Sequence, residues 1–217
     1  MDEGEIMIIT RIAICGIPCS GTKLMNHMLA SVLPTWDYDP IERPWHWERK
    51  QKFVITKQPK DVFKQDIIRK YHNIAPVIMV RDPWFVLTSK HRTPKYWNSA
   101  EKIGFKQFAP IKWYEEIIKQ RDKGAFIVKY EELVTNPCEI QGRMLEQWDL
   151  PFEGDLTDFA HTPLPPGLEY LGVVRPLSTS RLALVPEDKV YLKKQVKICP
   201  DLYKVRKELG YANISLS

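Results

Sequence analysis

The chain has 217 residues, 44% of them hydrophobic and 27% charged, with a net charge of +5 at neutral pH. This length and composition exclude a disordered chain and predict one globular domain over residues 1–217. The positive charge suits an anionic ligand, but it is spread along the chain without a dense basic run, so we expect no nucleic-acid partner.

The predicted elements begin with a strand, a glycine-rich turn and a helix. Residues 6–15 are a β-branched apolar run that leads into Gly16, which is typical of a buried strand. Residues 21–32 then carry their apolar side chains on one helical face, at Leu24, Met25, Met28, Leu29 and Val32. The turn therefore follows the carboxyl end of a strand and opens a helix.

The rest of the chain continues to alternate strands and helices. Further strands are predicted over residues 52–56, 75–80 and 125–128. Helices are predicted over about 60–71, from Pro83, and over 110–123, 138–148, 187–198 and 201–209, with an irregular segment at 151–176. This order predicts an α/β fold in three layers, a parallel sheet between helices, with ligands bound beyond the carboxyl ends of the strands.

The turn lies in the stretch CGIPCSGTKLMNHML, where Gly16 and Gly21 have the spacing of a Walker A phosphate loop. However, Thr22 and Lys23 follow in the reverse of the Walker order. A glycine turn that opens a helix gathers backbone N–H groups around an anion, and we expect the hydroxyls of Ser20 and Thr22 to add donors. The pattern alone leaves open an altered ATP-binding loop, a chance glycine pair or a phosphate loop of another family.

The stretch GIPCSGTKLM resembles the 5′-phosphosulfate-binding loop of the sulfotransferases, in which Pro and then Lys or Arg precede Ser-Gly-Thr. The matching residues are Pro18, Ser20, Gly21, Thr22 and Leu24. Cys19 stands where the family has Lys or Arg, and Lys23 stands where it usually has Thr or Ser. The resemblance implies a P-loop-type, sulfotransferase-like domain that takes 3′-phosphoadenylyl sulfate (PAPS) as donor and releases adenosine 3′,5′-bisphosphate (PAP).

Three further segments extend the resemblance. VIMVRDPWFVLTSKHR is similar to the family's second signature, which implies that Arg81 and Ser89 bind the 3′-phosphate of the donor. VITKQP resembles an element that places Lys57 at the reacting centre. RPLSTSR, with Ser180 and Arg181, loosely resembles a loop that the family brings over the nucleotide, and its alternative is an ordinary lead into the next helix.

The implied reaction transfers the sulfuryl group of PAPS to a hydroxyl or an amine by in-line displacement. Backbone N–H groups of residues 18–23 hold the phosphosulfate, and a cation stabilises the leaving phosphate. A thiol at Cys19 cannot supply that charge, so we expect Lys57 to supply it, ahead of Lys23. Two alternatives stay open: Cys19 impairs turnover and leaves a PAP- or PAPS-binding protein, or it is a reactive thiol at a helix N-terminus.

The general base is sought in TWDYDPIERPWHWERK, residues 35–50, where the family often lines its acceptor site. The candidates are Glu42, His46 and Glu48, with Glu42 placed ahead of His46. Each has an ordinary alternative, since the two glutamates are typical of a solvated surface and His46 of packing between tryptophans.

The sequence leaves the acceptor open among small molecules, carbohydrates and peptides, and it leaves the oligomeric state open as well. The alternative enzyme is an ATP-dependent small-molecule or nucleotide kinase with an atypical loop, although the Thr22–Lys23 order argues against it. No His, Cys or Asp cluster has metal-ligand spacing, so we expect no metal. An acidic N-terminus, the lack of a long apolar run and four cysteines without paired spacing predict a reduced, cytoplasmic protein with no membrane partner.

Overall fold

The fold is built on a parallel β-sheet in a computed structural model that describes residues 8–39, 41–48, 50–89, 110–161, 177, 179–211 and 216. The strands are β1 (Arg11–Gly16), β2 (Asp37–Tyr38), β3 (Val54–Lys57), β4 (Ile74–Val80) and β5 (Phe126–Lys129). Their order across the sheet is β2-β3-β1-β4-β5, and every pairing is parallel. The predicted α/β fold with a parallel sheet is therefore confirmed.

Helices connect and cover the strands. They are α1 (Thr22–Val32), α2 (Gln65–Ile68), α3 (Pro83–Leu87), α4 (Pro110–Asp122), α5 (Tyr130–Thr135), α6 (Pro137–Trp148), α7 (Pro186–Ile198) and α8 (Asp201–Glu208). Short 3₁₀ helices add Pro59–Lys64, Leu156–His161 and Thr179–Leu182.

The side chains of β1 show why the sheet is covered on both faces. Ile12 and Ile14 point into one apolar core, which they share with α1 and α6. Cys15, the next residue but on the opposite face, points into a second core with α4 and α8. Because a strand alternates its side chains, apolar residues at successive positions can be buried only between two layers. The three-layer arrangement follows from this pattern.

Two predicted elements differ in extent from the structure. The strand predicted from residue 6 begins at Arg11 within the described residues, and residues 6 and 7 lie outside them. The helix predicted over 60–71 is a 3₁₀ helix followed by α2. In that 3₁₀ helix the carboxylate of Asp61 accepts the backbone N–H of Trp45 at 2.7 Å. The conformation of this segment therefore depends on a contact with a residue 16 positions away as well as on helical periodicity.

Two elements, β2 and α5, were not predicted because they are too short to leave a periodic pattern. The segment predicted as irregular contains the 3₁₀ helix Leu156–His161, and its residues 162–176 lie outside the described part of the chain.

The sheet brings the candidate residues to one edge. Lys57 ends β3 and pairs in register with Ile14 of β1, just before the glycine loop. Gly16 pairs with Met79 of β4, two residues before Arg81. The carboxyl ends of three adjacent strands therefore carry the glycine loop, the lysine and the arginine side by side.

Candidate functional site

The glycine loop is held close to β4 and α5, and its two glycines make this possible. Gly16 has a φ of 138°, and a Cβ there would lie 2.0 Å from the carbonyl oxygen of Met79. Gly21 has a φ of 91°, and a Cβ there would lie 2.5 Å from the ring of Tyr130. Any other residue would push the loop off the sheet, so both glycines are required by this geometry.

Ser20 attaches the glycine loop to β4. Its side chain is fully buried, and its hydroxyl donates to the carbonyl oxygen of Met79 at 3.1 Å. The hydroxyl proton is therefore committed to β4, contrary to the expectation that Ser20 adds a donor to the anion site. Its role in binding a donor, like that of Pro18, stays a prediction.

The first turn of α1 faces the same loop. The helix follows Gly21, and among the described residues no side chain caps it there. Thr22 is its first residue and is buried. The N–H groups at the start of a helix have no partners within the helix and lie at the positive end of its dipole. This arrangement favours an anion at the loop, although it does not identify one.

Cys19 is the departure from the sulfotransferase pattern, and its thiol is neutral. The residue has a φ of 67°, an uncommon conformation for a side chain with a Cβ. Burial raises the pKa of the Cys19 thiol to about 11, and the nearby Arg81 only partly opposes that effect. This direction argues against the hypothesis of an activated thiol, which requires a lowered pKa.

Arg81 joins the glycine loop to the second signature. Its Nη1 donates to the carbonyl oxygen of Cys19 at 3.2 Å and to the hydroxyl of Ser89 at 3.3 Å. Its guanidinium lies 4.3 Å from the ring centroid of Tyr130. Ser89 in turn donates to the carbonyl oxygen of Phe85 at 2.5 Å. The structure thus brings Arg81 and Ser89 together as the sequence predicted, while their role as phosphate ligands stays a prediction.

Arg206 on the C-terminal helix α8 holds the residue next to Arg81 in place. Its Nε and Nη2 donate to the two carboxylate oxygens of Asp82, at 2.8 and 2.7 Å, and both side chains are only 3% exposed. The Asp82 carboxylate also accepts the N–H of Trp84 and so caps α3. Sequence reasoning missed Arg206, although its spacing from the apolar Leu202 and Leu209 places it on the buried face of α8.

Lys57 is a buried cation at the carboxyl end of β3. Its side chain is 6% exposed, and burial lowers its pKa. The carboxylates of Glu42 and Asp39 oppose that shift, whereas the positive charge of Lys23 adds to it. Lys57 and Lys23 therefore lie close enough to repel each other, and an anion bound between them would relieve that repulsion.

The segment that follows β2 is tied to the end of β3, and this places Glu42. The N–H of Arg43 donates to the carbonyl oxygen of Lys57 at 2.9 Å. The carboxylate of Asp39 accepts from the N–H of Ile41 and from the Arg43 guanidinium. Glu42 lies between these anchored residues, is exposed, and acts electrostatically on Lys57.

His46 has different neighbours from Glu42. It is exposed, it contacts the ring of Trp45 edge to face at 5.4 Å, and its charge acts on Asp61 of the 3₁₀ helix Pro59–Lys64. Glu48 is exposed as well. Of the three candidate bases, Glu42 is the one whose charge acts on Lys57, and its role as a base stays a prediction.

His27 is a candidate that sequence reasoning missed. It lies on α1 one turn after Lys23, and its ring centroid lies 6.2 Å from that of Tyr38, edge to face. Burial lowers the pKa of His27 to about 4, and the positive charges of Lys23 and Lys57 add to that effect. The spacing of four residues between Lys23 and His27 was the available signal, since it places both on one face of the helix.

Ser180 and Arg181 lie in the 3₁₀ helix Thr179–Leu182, which packs against α5. Their side chains lie outside the part of the chain that the structure describes, so their predicted contact with the nucleotide stays a prediction.

The described residues also limit what else the site holds. They contain no group of three or more His, Cys, Asp or Glu side chains placed to bind a metal ion. Across the same ranges, every helix is too short or too polar to span a bilayer.

Comparison with models of known families and with curated proteins finds no match. Solved structures do match. A sulfotransferase domain from the Synechococcus PCC 7002 olefin synthase aligns with a TM-score of 0.58 and 13% identity, over 95% of this chain and 97% of that one. A sulfotransferase domain from the curacin biosynthetic pathway aligns with a TM-score of 0.56 and 14% identity, over 97% of this chain and 100% of that one. The chain therefore has the fold of sulfotransferase domains.

Proposed function

We propose that this protein, with its sulfotransferase fold, transfers the sulfuryl group of PAPS to an acceptor hydroxyl or amine and releases PAP. One observation carries the proposal: Arg81 contacts both Ser89 and the carbonyl of Cys19, so the two signatures that the sequence carries far apart meet at one place. A chance glycine pair or a surface Arg–Asp pair would have no reason to converge in this way.

The residues present fit an anionic donor. The glycine loop and the first turn of α1 offer backbone N–H groups to a phosphosulfate. Arg81 offers a planar guanidinium for the 3′-phosphate, stacked on Tyr130 and so fixed in direction. Lys57 and Lys23 add two positive charges on the far side of the loop. The donor would then extend along the sheet edge from β4, across β1, to β3.

Lys57 supplies the charge that the loop lacks at Cys19. As the bond between sulfur and the bridging oxygen breaks, negative charge collects on the leaving phosphate, and a nearby cation lowers the barrier. Lys57 is held by the end of β3 in a largely dry position, where a charge acts more strongly than in water. Lys23 is the second cation of this group and assists it.

The acceptor is a small molecule, a carbohydrate or a peptide, and it enters from the side of Glu42, which we keep as one candidate base. The four cysteines form no disulfide, which supports a reducing, cytoplasmic location for the protein.

The test is a transfer assay with labelled PAPS against sugars, phenols, peptides and lipids. The wild type is compared with Lys57→Met and with Lys60→Met, an exposed lysine three residues away. We expect label on at least one acceptor class, loss of about 100-fold or more in kcat for Lys57→Met, and an unchanged rate for Lys60→Met. Equal rates for all three proteins would remove Lys57 from the mechanism, and no transfer at all would contradict the proposed activity.

A second candidate function is a PAP- or PAPS-binding protein without turnover. The neutral thiol of Cys19 in place of a loop cation favours it. The variant Cys19→Lys separates the two candidates, because it restores the family's charge. If the wild type binds PAP without transferring label and Cys19→Lys gains transfer, the binding protein is the better description.

A further inference from the structure

His27 on α1 lies beside the end of β2, where the positive charges of Lys23 and Lys57 both act on it. The sheet order places β4, with Arg81 just after it, on one side of β1, and β3 and β2 on the other. A donor whose 3′-phosphate lies at Arg81 and whose sulfuryl group lies near Lys57 therefore points towards the end of β2. Tyr38 ends β2, and its ring contacts the imidazole of His27.

The titratable groups around His27 come from three elements. Lys23 is on its own helix and Lys57 is at the end of β3, and both are cations; Tyr38 on β2 is a neutral phenol whose pKa is raised by burial. The 3₁₀ helix Leu156–His161 also packs against α1, and its Asp158 carboxylate accepts the N–H of Asp155. Because burial, assisted by the two lysines, disfavours the charged form, the free imidazole is neutral at physiological pH and has a lone pair available.

We propose that His27 is a catalytic residue that accepts the proton of the acceptor hydroxyl as the sulfuryl group is transferred. The inference rests on the proposed function and adds the base that the reaction requires. Glu42, the base expected from sequence, is exposed and interacts electrostatically with Lys57, whereas His27 is half-buried and is acted on by both Lys23 and Lys57.

The step balances without a further reactant. The acceptor oxygen forms a bond to sulfur, and the bond between sulfur and the bridging oxygen breaks with its electron pair on the phosphate of PAP. The acceptor proton moves to an imidazole nitrogen of His27, which later releases it to water. The bound donor offsets the charges of Lys23 and Lys57, so it raises the pKa of His27 from its low value in the free protein towards the working range of a base.

The first test compares two acceptors of different acidity with labelled PAPS. For an aliphatic alcohol, which must lose its proton during transfer, we expect His27→Gln to lower kcat by about 10²- to 10⁴-fold. For a phenol that is already ionised at the assay pH, we expect a loss below about tenfold, because no proton has to be removed. Free imidazole is expected to restore part of the alcohol activity of His27→Ala. The control is His72→Gln, an exposed histidine outside the site, with unchanged activity on both acceptors.

A purely structural role would lower activity on both acceptors equally and would give no imidazole rescue. Either result overturns the inference while leaving the proposed function standing. A wild type that transfers to neither acceptor, nor to any other in the screen, contradicts the proposed function itself.

The second test uses the wild-type protein and does not depend on turnover. The imidazole resonances of the wild type are followed by NMR across pH, with and without PAP. We expect the pKa of His27 to rise when PAP binds, while the signal of His72 does not move. A His27 resonance that is unchanged by saturating PAP would place the ring outside the site and overturn the inference.

Discussion

The guanidinium of Arg81 donates a hydrogen bond to the backbone carbonyl of Cys19 at 3.2 Å, across 62 positions of the sequence. The same nitrogen contacts Ser89, and the guanidinium stacks on Tyr130, whose ring also lies against Gly21. The loop and the second signature are therefore one unit rather than two neighbouring motifs. A donor that binds one of them must be compatible with the position of the other.

Replacement of Arg81 is expected to weaken PAP binding. Arg81→Lys keeps the charge but loses the planar fork, and Arg81→Met loses both. We expect calorimetry to give a PAP dissociation constant about 10- to 100-fold higher for Arg81→Met, the range for a charge-assisted hydrogen bond, and a smaller change for Arg81→Lys. Arg69→Met, at an exposed arginine, is the control. A PAP affinity in Arg81→Met equal to that of Arg69→Met would remove Arg81 from the binding site.

Cys19 is expected to resist alkylation. With its pKa raised to about 11, the thiol is almost fully protonated at pH 8, and only the thiolate reacts. Cys138, which is exposed on α6, provides the internal comparison. Iodoacetamide labelling followed by peptide mass spectrometry should show Cys138 modified at least about tenfold faster than Cys19, with Cys19 labelling rising as the pH approaches 11. Preferential labelling of Cys19 at pH 7 would instead indicate an activated thiol.

The ion pair between Asp82 and Arg206 is expected to stabilise the fold strongly, because loss of one partner leaves a buried charge alone. We expect Arg206→Leu to lower the free energy of unfolding in urea by about 3–5 kcal/mol. Lys123→Gln, which breaks the exposed pair of Lys123 with Asp66, should cost less than about 1 kcal/mol. The double variant Asp82→Asn, Arg206→Leu should be less destabilised than the sum of the two single variants. Additive losses would show that the pair contributes little as a pair.

His27 is expected to make stability depend on pH in the acidic range. Its pKa is about 4 in the fold against 6.5 for a histidine in an unfolded chain, so between these values the unfolded state binds more protons. The contribution of His27 to the free energy of unfolding is then fully present above pH 6.5. It is lost as the pH drops towards 4, a loss of roughly 3 kcal/mol for this one group. Urea unfolding of the wild type should show this loss, and His27→Gln should lose less. Parallel curves for the two proteins would contradict the buried, neutral state of His27.

The sequence was sufficient for the parts of the fold that depend on periodic burial. The strand ending at the glycine loop, the helix after it and the strand before Arg81 each bury a regular set of side chains, and the structure has all three. The pattern could not reveal β2, which has only two residues, or the 3₁₀ helix after Lys57, where the Asp61 carboxylate binds a distant backbone group.

The same limit applies to the site. The contact between Arg81 and Ser89 could be predicted, because the two residues lie only eight positions apart in one continuous segment. For Arg206 and His27 the spacing could indicate only a helix face, since their importance comes from partners on other elements, Asp82 in one case and Lys57 in the other. The sequence also favoured an outward role for the Ser20 hydroxyl, and only the approach of β4 shows that it is used internally.

The most direct test of the account is calorimetric titration of the purified protein with PAP and, separately, with ATP and Mg²⁺. A sulfotransferase loop joined to an arginine that reads a 3′-phosphate predicts PAP binding at least about 100-fold tighter than ATP, since ATP has no 3′-phosphate to meet Arg81. Tighter binding of ATP, or equal affinity for the two nucleotides, would contradict the proposed donor and with it the proposed activity.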